Sequence, residues 1–82
     1  MAIETFGTEA QAHKCIAEMG ELIVALSHNL EGRRSDGAVI EEIADVTIMC
    51  YQMAIIYGFD NVCSVIDTKL ERLAKRISEA RR

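Results

Sequence analysis

The sequence predicts an all-α protein, an antiparallel helical bundle of about three main helices per chain, completed by oligomerisation. Three observations predict it. Apolar residues recur with a 3.6-residue period in three segments. Glycine-bearing breaks at 31–37 and at Gly58 separate those segments, and proline is absent. Half of the 82 residues are apolar, more than one compact monomer of this size needs to fill its interior. The surplus is expected to be covered by further copies, as a homodimer or homotetramer. Residues 1–82 read as a single domain.

The first helix is expected from Thr8, where Thr8-Glu9-Ala10-Gln11 has the form of a capping box. Its apolar positions are Ala12, Cys15, Ile16, Met19, Leu22, Ile23, Leu26 and Leu30, and it should end near Glu31-Gly32. The polar stretch Arg33-Arg34-Ser35-Asp36-Gly37 is the loop. A second helix spans roughly Ala38 to Tyr57, with Ser35 or Asp36 as its cap and Gly58 as its stop. Beyond Asp45 it is apolar almost all round, which calls for cover on several sides. The third helix, with Asp60 as expected cap, carries the stripe Val62, Ile66, Leu70, Leu73, Ile77 and Ala80.

A net charge of −4 argues against general nucleic-acid or membrane-surface binding, both of which call for a basic face. The richest apolar run, Val46 to Tyr57, is too short to span a bilayer, and no segment has the order of a signal peptide. A cytoplasmic protein is expected. Cys15, Cys50 and Cys63 have no Cys-x-x-Cys spacing and read as reduced, mostly buried thiols.

Two acidic pairs carry the chemical information: Glu18-Met-Gly-Glu21 and Glu42-Ile-Ala-Asp45. Residues i and i+3 are neighbours on a helix surface, so each pair points two carboxylates the same way. On consecutive antiparallel helices the four acids would face a common space, where their repulsion is relieved by a cation. Oxygen-only ligands suit Mg²⁺, with Mn²⁺ as a substitute. The pairs lie differently on their helices. Glu18 and Glu21 flank the apolar stripe in mid-helix, whereas Glu42 and Asp45 stand near a helix start, where acids are also favoured by the dipole. The plainer alternative is a solvated acidic face on a non-catalytic dimerisation module.

Basic residues supply a complement. Lys69, Arg72 and Arg76 fall on one stripe of the third helix and suit phosphate oxygens, or else pair with Glu71 and Glu79 on the surface. Lys14 relieves the acid crowding, and Arg33 and Arg34 read as loop solvation or ligand contacts. His13 and His28 do not form the Glu-x-x-His signature of di-iron bundles, which counts against a redox metal centre. There is no phosphate-binding glycine loop and no zinc cluster.

The order ExxE, loop, ExxD, basic helix resembles the MazG-like all-α nucleoside triphosphate pyrophosphohydrolases. The segments that match are Glu18-Met-Gly-Glu21-Leu22, Glu42-Ile-Ala-Asp45-Val46 and Lys69-Leu70-Glu71-Arg72, and the pattern covers about Gln11 to Arg76. The resemblance implies that Glu18, Glu21, Glu42 and Asp45 coordinate Mg²⁺ and that Lys69 and Arg72 meet the phosphates. It implies hydrolysis of a nucleoside triphosphate to the monophosphate and pyrophosphate, in nucleotide-pool housekeeping. Glu21 is the expected base, and Tyr51, Tyr57 and Phe59 read as core residues or as aromatics on which a nucleobase could stack. Ala17 stands where family members often carry a further glutamate.

Overall fold

The computed structural model describes residues 6–81. Three helices are found there and no strand: α1 (Thr8–Leu30), α2 (Asp36–Tyr57) and α3 (Phe59–Ala80). α1 and α2 form an antiparallel hairpin, and α3 leaves it at the far end of α2. The molecule measures 51 × 39 × 15 Å, and the smallest extent is little more than one helix diameter. The helices therefore lie in a single layer.

Each boundary has a local cause. α1 begins after Gly7, whose carbonyl accepts the Gln11 N–H at 3.2 Å. The expected capping box is not made. Thr8 is already helical, and Gln11 is buried rather than turned back on the helix start. At the other end, Arg33 N–H donates to His28 O and Gly32 N–H to Asn29 O, the bond pair of a Schellman ending with Gly32 at φ 78°. Ser35 is the cap of α2, its hydroxyl accepting from Ala38 N–H at 3.2 Å. Asn29 ties the loop down, donating to Arg34 O at 2.9 Å and to Asp36 Oδ1 at 2.8 Å.

Gly58 alone joins α2 to α3, at φ 110°. A side chain there would be strained by the backbone and would crowd Asn61. Because Phe59 is already helical, Asp60 lies inside the first turn and makes no side-chain cap, contrary to expectation. Its charge still favours the positive helix start. Tyr51 and Phe59 meet edge to face across the joint, ring centres 5.7 Å apart.

The core is one seam. Cys15 and Ala25 of α1 and Val39 and Met49 of α2 are its buried apolar side chains, among the described residues. The apolar positions read from α1 divide into two rows, and Ala25, outside that reading, joins the inner one. Cys15, Leu22 and Ala25 turn toward α2, while Ile16, Met19, Ile23, Leu26 and Leu30 remain exposed. The cover expected for α2 is absent within one chain: Ile48 and Tyr51 are more than half exposed. α3 buries none of its residues. Four buried apolar side chains are too few to order a domain of this length unaided. The thiols are all free, but only Cys15 is buried, and Cys50 is exposed where burial was expected.

Candidate metal centre

The antiparallel register brings the two acidic pairs together. One carboxylate oxygen from each of Glu18, Glu42 and Asp45 lies within 4.8 Å of the others. Glu18 occupies the seam itself, on the row of Cys15, Leu22 and Ala25, rather than the flank that its sequence position suggested. Glu42 matches it on the row of Val39 and Met49. Both are half-buried. Their partners one turn on, Glu21 and Asp45, are exposed at the rim. The helical period dictates this: a three-residue step returns 60° short of a full turn, so one acid of each pair faces the seam and the other its edge.

The Oε2 atoms of Glu18 and Glu42 are shielded from solvent and have no hydrogen-bond partner. Buried polar oxygens are nearly always satisfied, and an orphaned oxygen on each of two neighbouring carboxylates asks for a cation. Burial raises the Glu18 carboxyl above its ordinary range, and the charges of Glu21, Asp45 and Glu42 raise it further. Glu42 is raised in the same way, by burial, then Glu21 and Asp45, while Arg34 opposes the shift. A divalent ion would reverse both trends by favouring the ionised forms. The donor set, carboxylate oxygens alone, fits Mg²⁺ or Mn²⁺.

Two clefts open beside this cluster. The larger, of about 510 Å³, is lined by Ala17, Gly20, Glu21, Val24, Arg34 and Glu42. The smaller, of about 150 Å³, is lined by Lys14, Glu18, Asp45, Ile48 and Met49. Small residues at 17 and 20 keep the larger cleft open, so Ala17 contributes space where a glutamate would contribute charge. Glu21, the expected base, lines that space without belonging to the three-oxygen cluster.

Lys69 and Arg72 are not brought to the acids within one chain. Both are exposed on α3, and Lys69 borders a shallow apolar depression with Asn61, Val62, Val65 and Ile66. The cations at the acidic site are Lys14 and Arg34. The sequence left Arg34 between loop solvation and a ligand contact, since its position depends on the Asn29 bonds that fold the loop over the helix ends. Arg33, its neighbour, instead pairs with Glu31 at 2.9 Å on the surface. Tyr51 and Phe59 meet edge to face at the α2–α3 joint, and neither lines the two clefts; with Tyr57 they are exposed rather than core. No family model matches the chain, and no curated protein or solved structure matches it either.

Proposed function

We propose that the chain is a Mg²⁺-dependent nucleoside triphosphate pyrophosphohydrolase, cleaving a nucleoside triphosphate to the monophosphate and pyrophosphate. The observation that carries the reading is the set of three carboxylates from two helices, with one oxygen of each within 4.8 Å of the others, and with a shielded, unpartnered oxygen on both Glu18 and Glu42. The motif order shared with the MazG-like enzymes supplies the reaction class.

Glu18, Glu42 and Asp45 would hold the ion, with Glu21 completing the set from the rim. Bound there, Mg²⁺ would screen the triphosphate's charge from the carboxylates and make the α-phosphorus more electrophilic. Glu21 faces the larger cleft, where it orients a water for in-line attack and accepts its proton. Arg34 borders the same space and neutralises phosphate charge. Lys69 and Arg72, distant from the acids of their own chain, would meet the leaving pyrophosphate from a neighbouring one.

Pyrophosphate release measured over a panel of canonical and modified nucleoside triphosphates, with and without Mg²⁺, tests the reading. Turnover that needs Mg²⁺ and disappears in Glu42→Gln is expected. Metal-independent turnover, or none on any nucleotide, overturns it. The second reading, a non-catalytic dimerisation module, draws on the bare apolar rows described above. It predicts no heat on Mg²⁺ titration and no change in melting temperature.

A further inference from the structure

The acidic pairs and Arg34 all lie between two cysteines in the chain, Cys15 of α1 and Cys50 of α2. The register carries that order into space. Lys14 and Glu18 share a cleft with Asp45, Ile48 and Met49, and Gln11 and Lys14 share the next one with Ile48, Met49 and Gln52. Cys15, between Lys14 and Glu18 on the inner row of α1, therefore stands level with Met49 and Cys50. The two thiol groups are near enough to interact across the seam: burial first, and then the neighbouring Cys50 thiol, raise the Cys15 thiol above its ordinary range. Their surroundings differ. Cys15 is 4% exposed, whereas Cys50 is open to solvent. A thiol that solutes can reach thus stands beside one that only its neighbour can reach, the arrangement of an attacking and a resolving cysteine.

We infer that Cys15 and Cys50 form a reversible cross-link that locks α1 to α2, with a small-molecule disulfide as oxidant. Cys50, as thiolate, attacks one sulfur of the oxidant. The oxidant's S–S bond breaks, a mixed disulfide forms on Cys50, and one small thiol leaves with the proton that Cys50 lost to solvent. The Cys15 sulfur then attacks Cys50 Sγ and expels the second small thiol, which takes up the Cys15 proton. Two cysteines are oxidised to one cystine, and one disulfide is reduced to two thiols. The new bond lies one turn from Glu18 and closes a ring that contains Glu18, Glu21, Glu42 and Asp45. The far end of that ring is the turn pinned by Asn29. Between the two ends, packing holds the register weakly, because only four apolar side chains are buried among the described residues. A covalent link fixes the register by removing freedom from the unfolded chain. Cys63, half-buried on α3, lies outside the ring and stays a free thiol.

The cross-link needs neither Mg²⁺ nor a nucleotide, so its test stands apart from the proposed hydrolysis. The unaltered protein, equilibrated with oxidised glutathione, should lose two of its three thiols and two hydrogens of mass, with no link between chains. In Cys63→Ser the same bond should form, and trypsin should release the peptide that holds Cys15 joined to the one that holds Cys50. The thermal midpoint should rise by roughly 10 °C or more, and dithiothreitol should return it to its starting value. Cys15→Ser should instead retain glutathione on Cys50 and show no such rise. Three thiols left after equilibration, glutathione persisting on Cys50 of the unaltered protein, a bond to Cys63 or to a second chain, or a cross-linked protein that melts no higher each overturns the inference.

Discussion

The two faces of the α1–α2 hairpin are built on the same backbone and differ only in what a 100° rotation selects from the sequence. One gathers carboxylates, two cations and open clefts. The other gathers apolar side chains that touch little within the chain. Between them runs a seam that is apolar except at Gln11, Glu18 and Glu42, and at the two acids a packed interior would take Leu or Ile. The contrast teaches how a very small protein can divide its labour. The proposed chemistry belongs to one side of the seam, the bare apolar rows to the other, and the two sides can be broken separately.

The largest effect expected is at the seam acids. Glu42→Gln should bring Mg²⁺-dependent pyrophosphate release to background while circular dichroism and assembly mass stay those of wild type. Retained turnover would remove Glu42 from the site. Next, Mg²⁺ at a hundredfold over its dissociation constant should stabilise the fold by about 2.7 kcal/mol, a rise of roughly 10 °C or more in melting temperature. Glu42→Gln should erase that rise, and a substitution on the apolar face that leaves the protein folded should keep it. An equal loss from both faces would dissolve the distinction between them.

Asn29→Ala tests how the acidic side is assembled, because Asn29 holds the loop that places Arg34. A loss of about 1 kcal/mol is expected, with a raised KM for the nucleotide and no change in assembly mass. A smaller effect comes from pH. Glu18 and Glu42 bind protons more readily folded than unfolded. Stability of the metal-free protein should therefore rise as pH falls from neutral through their raised values, and level off near the ordinary glutamate range. Thermal melts in chelator should show the midpoint rising over that window, and saturating Mg²⁺ should abolish or reverse the trend. The smallest effect belongs to Arg33→Ala. Its exposed pair with Glu31 is worth under about 1 kcal/mol, and neither melting temperature nor mass should move appreciably.

Much of this architecture could be read from residue order. Gly32 and Gly58 mark the helix breaks, and both adopt the positive φ that makes glycine the natural choice. Ser35 was one of two possible caps and is the one used. The acidic pairs were visible as pairs, and their spacing already placed two carboxylates on one side of each helix. Other features were not legible. Thr8 and Gln11 have the right types for a capping box, but burial of Gln11 overrides a local bond worth about 1 kcal/mol. Asp60 looked like a cap until the one-residue link made Phe59 helical.

By itself, then, the residue order determined where helices start and stop and which acids travel together, because periodicity, glycine and spacing act within a few residues along the chain. Only the tertiary structure decided which of two apolar rows on α1 turns inward, that Glu18 and Glu42 share the seam, and that Arg34 rather than Lys69 or Arg72 stands beside them. Those outcomes depend on the register between α1 and α2, and on the fold of the loop joining them. Both come from contacts between residues far apart in the chain, which no local pattern encodes.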